Sequence, residues 1–364
     1  MNREYLLLFH LNLKLGCEKM DEFYSVEDFF SIAKIDAHLH YYSENNLFIE
    51  LAKQHNIRLL SINVDFLEDE WMLLAKQRAI ASKMMANYNA NFAFIGAVPM
   101  VHPLHKSHIT KAISHIDKAI EKGAIGVKIW KNVGMKITYE GEYVMINNPI
   151  FQPLLSHLSS HNTPLLGHFG EPRNCWLPLD EMTVSSDQKY YAGHPEFHMY
   201  LRPEMPSYHD QIDACDQMLS KNTDLKFIGA HLGSSEYSIT EMARRLDQYP
   251  NLMFDMAERI CHLQYQSISN HAGVYNFLVK YQDRLMYGSD MVFTDSKNEQ
   301  EQIADVKSRW LNQWCFLTQN HTQTTWEVKG TFKGMALPKK VIDKIYYHNA
   351  LRTYPKLSQY FTYK

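Results

Sequence analysis

The chain has no paired-cysteine pattern, no membrane-length apolar run, no basic stripe and no glycine-rich phosphate loop. Its five cysteines, Cys17, Cys175, Cys215, Cys261 and Cys315, are odd in number and scattered, and no Cys-x-x-Cys pair occurs. That excludes a disulfide framework or a zinc knuckle. It reads instead as free thiols in a reducing, cytoplasmic compartment. No stretch approaches the roughly 20 apolar residues that a membrane span requires. Residues 5–15 are apolar-rich and follow Arg3, but His10, Asn12 and Lys14 interrupt them, and no small-residue cleavage site follows. A secretory signal is therefore not the favoured reading. Met1 and Met20 both stay open as the start, because the ordered pattern begins near Met20. A net charge of −3 without a basic stripe argues against nucleic acid as the partner.

What the chain does have is 364 residues, 45% of them hydrophobic and 21% charged, enough for one large α/β domain with a full core. Short apolar runs at 34–38, 58–64, 92–98, 125–130, 163–168, 226–230, 251–255 and 284–287 read as parallel strands covered on both faces. Helical patterns fall between them at 70–88, 107–122, 149–161, 208–221, 235–248 and 271–281. A last one runs from Pro338 to about Tyr354, stopped by Pro355. Eight strands, each followed by a helix, make an α/β chain of the (β/α)8 TIM-barrel class. A doubly wound sheet is the runner-up, and it lacks the expected phosphate loop here. We divide the chain into an N-terminal extension, 1–30, and a single barrel domain, 31–364. Loop insertions are expected at about 172–207 and 294–337. Both would sit over the C-terminal mouth. The tryptophan-rich part of the second, from Trp310 to Trp326, is expected to be either a dimer contact or a lid.

The run Lys34-Ile35-Asp36-Ala37-His38-Leu39-His40 carries the first chemical signal. On an extended strand, alternate side chains share a face, so Asp36, His38 and His40 are expected to point the same way. Two imidazoles side by side at a strand end are half of a metal site. The other strand ends supply more polar groups: Asp65, Lys128, His168, His231, Asp255 and Asp290, with Glu258 and Arg259 just past strand 7. Histidines and an aspartate converging on one mouth suit Zn²⁺, with Mn²⁺ or Fe²⁺ as alternatives. Such an ion lowers the pKa of a bound water to about 7.

This pattern resembles the amidohydrolase superfamily, in its amidohydrolase-related branch. The matching pieces are Asp36-Ala37-His38-Leu39-His40, Gly126-Val127-Lys128, Gly167-His168-Phe169-Gly170-Glu171-Pro172, Gly229-Ala230-His231-Leu232-Gly233 and Tyr287-Gly288-Ser289-Asp290. The ending Ile345-Tyr346-Tyr347-His348-Asn349-Ala350-Leu351-Arg352 resembles the terminal helix of that branch. The resemblance spans about 32–355. It implies a distorted (β/α)8 barrel with one divalent metal on His38, His40, His168 and Asp290. It further implies that His231 acts as general acid/base or polarises the substrate, rather than binding the metal tightly, and that Asp290 shares a proton with the metal-bound water. The branch holds both hydrolases and non-oxidative decarboxylases, and the resemblance also suggests a homodimer.

Several residues keep more than one reading. Lys128 could be carboxylated and bridge a second metal, with His168 and His231 as its further ligands. It could instead meet an acidic substrate or form a structural salt bridge. Glu171 could support a ligand imidazole, touch substrate or pair in a loop. Arg173 and Arg259 could clamp a carboxylate or pair within the protein. Trp130 could wall the pocket or pack, and His194, His198 and His209 could reach the mouth. The first functional reading is a metal-dependent hydrolase acting on an ester, lactone or amide of a small acidic substrate. A decarboxylase on the same site is the alternative. A non-catalytic metal-binding scaffold is the third.

Overall fold

The computed structural model describes residues 22–67 and 70–361. The question of Met1 against Met20 and most of the expected extension lie outside these residues. Eight parallel strands follow the sequence reading closely. They are β1 (Lys34–Tyr42), β2 (Ile57–Ile62), β3 (Phe92–Ala97), β4 (Val127–Ile129), β5 (Leu165–Gly167), β6 (Phe227–Gly229), β7 (Leu252–Asp255) and β8 (Leu285–Met286). A ninth short strand, β9 (Val292–Thr294), continues the eighth after a break. The sheet order is β8-β7-β6-β5-β4-β3-β2-β1-β9. The chain therefore folds as the TIM barrel that the strand–helix alternation predicts.

The eighth strand closes the sheet on itself by changing partner midway. Its first part pairs with β7 and its second with β1. Across the break, Ala37 N donates to Tyr287 O at 3.0 Å, and Ser289 N and Asp290 N both donate to His38 O at 3.1 and 2.7 Å. His40 N then reaches Met291 O at 2.8 Å. Gly288 allows this approach, since a Cβ there would stand 2.7 Å from the Cβ of His38.

The helices cover the outside: α1 (Leu47–Gln54), α2 (Glu70–Tyr88), α3 (Lys106–Glu121), α4 (Gln152–Ser160), α5 (Ser185–Gly193), α6 (Tyr208–Lys221), α7 (Ile239–Gln248), α8 (Ile260–Lys280) and α9 (Glu299–Thr318). Ser207 caps α6 in a reciprocal capping box with Asp210. The sequence reading missed α1, α5 and α9; α5 lies within the segment expected as a loop insertion at 172–207. It began α8 eleven residues late, because a kink at Asn270 divides the apolar pattern. The segment expected as a loop insertion at 294–337 is instead α9 plus a hairpin, Thr322–Thr325 with Val328–Lys333. Trp310 and Trp314 on α9 are fully buried and so form neither a lid nor a dimer contact, whereas Trp326 on the hairpin is 63% exposed. The C-terminal segment from Lys339 to Thr353 is helical with a π-helical middle, Lys344–His348. Its Tyr347, Ala350 and Tyr354 join the barrel-interior cluster with Ile35, Leu60, Ile95 and Met286, plugging the end where the strands begin.

One expectation on β1 is overturned. Asp36 pairs with Leu59 while Leu39 pairs with Ser61, so β1 carries one residue more than β2 over this stretch. That β-bulge reverses the alternation. Ile35 and Ala37 face the barrel interior, while Leu39 and Tyr41 pack outward under the helices. Asp36 therefore lies on the outer face, opposite His38 and His40. Its carboxylate accepts Trp310 Nε1 at 2.8 Å and Ser289 N at 2.9 Å. Burial raises its pKa, and these hydrogen bonds only partly offset the shift. The Asp36–Trp310 bond ties α9 to the strand that bears the histidines. Hydrogen bonds to a charged group contribute about 1.5–3 kcal/mol. Trp310→Phe should therefore lower unfolding stability by about 1–3 kcal/mol in urea. An unchanged midpoint would show that the indole N–H is not needed there.

Candidate metal centre

The two β1 histidines are each fixed by an acceptor-only partner. His38 Nδ1 lies 2.8 Å from Asp255 Oδ2, and His40 Nδ1 lies 2.9 Å from the Ile62 carbonyl. A carboxylate and a carbonyl cannot donate, so both Nδ1 atoms must carry the proton. Each Nε2 then presents a lone pair. Asp290 Oδ1 stands 3.3 Å from His38 Nε2 and 3.2 Å from His40 Nε2. It receives no hydrogen bond. Three electron-pair donors thus face one another in a buried site, an arrangement that a cation would satisfy. The ligand atoms of His38, His40 and Asp290 all lie within 4.8 Å of one another. These residues fit a divalent ion.

His231 follows the same rule. Its Nδ1 donates to the Ala257 carbonyl at 3.0 Å, leaving Nε2 as an acceptor. Its backbone N–H donates to Asp255 Oδ1 at 2.9 Å. Asp255 therefore positions two histidines through its two oxygens. Its place at the end of β7 was visible in the sequence, but its role was not. His168 stacks edge-on to His231, with ring centroids 4.4 Å apart, and neither ring nitrogen has a hydrogen-bond partner. It does not join the trio of His38, His40 and Asp290. Burial pushes the His168 pKa down to about 4 and the His231 pKa well below its usual value. Both rings are thus neutral at pH 7.

His231, Glu258 and Asp290 stand just past β6, β7 and β8, with φ of 59°, 58° and 58°. Non-glycine residues held in this left-handed region cost about 1–2 kcal/mol each. Such strain concentrates at functional sites.

The remaining candidates separate into those at the mouth and those away from it. A cavity of about 490 Å³ is lined by His168, Glu171, His231, Arg259 and Asp290. Lys131, Asp187, Glu258 and Arg309 also line it, and the sequence reading gave none of these a role. Glu171 pairs with Lys131, and Arg309 with Glu258. Burial works against the charge on Glu171, but Lys131 outweighs it and lowers its pKa. Asp187 is satisfied by His262 at 3.1 Å and Asn174 at 2.9 Å, and its other oxygen is 4.0 Å from Arg259. The Arg259 guanidinium Nε is buried without a hydrogen-bond partner.

Lys128 faces the barrel interior, its Nζ 3.1 Å from His38 Nε2. Arg173 is exposed over the Tyr237 ring and does not line the cavity. Trp130 packs against Phe66, and Asp65 receives the Leu67 amide of its own loop and the Met100 amide of the loop after β3. His194, His198 and His209 do not line the cavity either. His198 is held by the Leu177 carbonyl at 2.8 Å.

A family model described as amidohydrolase matches residues 35–356. The chain belongs to the amidohydrolase family. No curated protein matches this amidohydrolase. Its fold is shared by solved structures of low identity. A 2,6-dihydroxybenzoate decarboxylase from Rhizobium is 12% identical, with a TM-score of 0.54 over 89% of this chain and 99% of that one. An uncharacterised TIM-barrel protein from Bordetella bronchiseptica is 13% identical, with a TM-score of 0.54 over 90% of this chain and 100% of that one. A dihydroxybenzoic acid decarboxylase from a Polaromonas species, solved with manganese and 2-nitroresorcinol, is 12% identical. Its TM-score is 0.53 over 89% of this chain and 97% of that one. Among the described residues of this amidohydrolase, no helix is long and apolar enough to cross a membrane.

Removing the charge that orients His38 should weaken metal binding. Asp255→Asn can still accept the His231 amide, but it can turn an N–H toward His38 Nδ1 and force the wrong tautomer. Loss of such an orienting partner typically costs 10–100-fold in affinity. Chelator competition should therefore show a drop of roughly 10–100-fold in affinity for Zn²⁺ or Mn²⁺. An affinity within twofold of wild type would remove Asp255 from the metal centre.

Proposed function

We propose that this amidohydrolase is a metal-dependent enzyme that removes the carboxyl group of a small acidic substrate as CO₂. The observation that carries this reading is Arg259. It is a buried guanidinium lining the same cavity as Asp290 and His231; Nη1 donates to the Glu258 carbonyl at 3.3 Å, and Nε has no hydrogen-bond partner. A buried cation of this kind suits a substrate carboxylate. The decarboxylase activity named for two fold neighbours agrees with it.

His38, His40 and Asp290 would hold the ion, and His168, whose ring nitrogens make no hydrogen bond, is proposed as a further ligand. The native ion is proposed to be Zn²⁺ or Mn²⁺, with Fe²⁺ as a further option. When bound, the ion supplies a positive centre that fixes and polarises the substrate's oxygens. Arg259 orients the acidic group from the cavity wall. The carbon–carbon bond to the carboxylate breaks, and its electron pair stays on the remaining carbon. His231 Nε2, which carries no proton in the neutral ring, would first take one from solvent and then deliver it to that carbon. Glu171, held by Lys131, keeps a fixed negative charge beside His168.

Hydrolysis of an ester, lactone or amide is the second reading, because the matching family is described as amidohydrolase. There the same ligands would serve an activated water.

The protein loaded with Zn²⁺ or Mn²⁺ should release CO₂ from at least one member of a panel of hydroxybenzoates labelled at the carboxyl carbon. Turnover of a lactone and ester panel with no CO₂ release would replace the first reading by the second. Arg259→Met should lower kcat/KM by about a hundredfold with metal content unchanged. This follows because stripping one partner from a buried charged contact costs about 2–5 kcal/mol. His231→Asn should keep the metal and lose most turnover. Loss of the metal in that variant would make His231 a ligand instead.

A further inference from the structure

His38 Nε2 has one lone pair and two claimants. Its ring is fixed by the bond from Nδ1 to Asp255, so it cannot turn to offer another nitrogen. The Lys128 ammonium, 2% exposed, donates to that lone pair at 3.1 Å. The same nitrogen faces Asp290 Oδ1 at 3.3 Å, in the trio that fits a metal. A lone pair that accepts a hydrogen bond cannot also coordinate an ion.

We propose that Lys128 is a resident counter-cation that holds the metal-free centre together and must leave His38 when the metal binds. It supplies a positive charge where Asp290 and Asp255 both bring negative charge. Without it, the empty site would leave a buried carboxylate against two imidazole lone pairs. Binding breaks the Nζ–Nε2 hydrogen bond, forms the His38–metal bond and moves no electrons. Nζ stays within the barrel beside the ion, so the positive charge on Lys128 and that of the ion oppose each other. Lys128 therefore stabilises the empty protein and weakens the metal.

The strand register makes this a built feature. Lys128 pairs with Leu166 on β5 and Ala97 on β3, and its carbonyl takes the Val98 amide at 2.8 Å. Its backbone is thereby fixed at the centre of the sheet, and its side chain ends on His38. This inference does not depend on which reaction the enzyme performs.

Lys128→Met and Lys128→Gln should each be compared with wild type in two measurements. The first is the unfolding midpoint of the metal-free protein. The second is affinity for Zn²⁺ and Mn²⁺ by chelator competition, with bound metal counted per chain. The expected result is a lower metal-free midpoint together with metal binding tighter by about tenfold or more, because a nearby like charge has been removed. One metal per chain should be bound in both variants. Affinity within twofold of wild type would overturn the proposal. So would weaker binding or the loss of a second metal, either of which would place Lys128 among the ligands. Should the metal-free Met variant fail to fold, the Gln variant carries the same comparison, since it keeps a donor without the charge.

Discussion

The hydrogen bonds from the Ser289 and Asp290 amides to the His38 carbonyl are the contact on which the rest of the structure depends. They join the last strand to the first and so close the barrel. They also bring the Asp290 carboxylate to 3.3 Å from His38 Nε2. Closure of the sheet and assembly of the metal centre are thus one event. A chain that fails to close has neither half of the site in place. Gly288 and the left-handed backbone of Asp290 both serve that junction.

Around this junction, acceptor-only groups fix the chemistry. Asp255, Ile62 O and Ala257 O each take an imidazole Nδ1–H, and each leaves an Nε2 lone pair. Burial then keeps the His168 and His231 rings neutral. The result is a set of neutral donors that cannot rearrange, sited in a barrel that cannot relax around them. Such a centre selects for a cation by geometry before any substrate arrives. The wall opposite adds paired charges, Lys131 with Glu171 and Arg309 with Glu258. Arg259, 4.0 Å from Asp187, keeps its Nε without a hydrogen-bond partner.

Much of this was legible in the residues. The strands read as apolar runs because a parallel sheet is covered on both faces. The polar residue that ends each run then marks the mouth. His38, His40, His168, His231 and Asp290 were all found in this way. What alternation cannot show is a bulge, because one extra residue leaves no mark in composition. Asp36 was therefore placed on the wrong face. Asp255 was seen but not assigned, since a carboxylate that supports a ligand looks the same in sequence as one that caps a loop. Lys131, Asp187 and Arg309 come from segments whose path depends on tertiary packing. The helix that carries Arg309 looks like a loop in sequence because the core that Trp310 and Trp314 fill comes from distant elements.

Register, and not residue identity alone, decides which way the histidines look. Paired regularly with β2 from Asp36 onward, the same letters would turn both imidazoles out beneath the helices, on the face that Asp36 occupies. The bulge lets one short strand send Asp36 outward to Trp310 and, two residues later, His38 inward to the site. Removing Ala37 would erase the bulge yet leave Leu39 opposite Ser61, so His38 and His40 would keep their direction while the strand shortened by one residue before them. The spare residue is thus a hinge in the pleat, one that lets a structural carboxylate and two imidazoles share a strand without sharing a face.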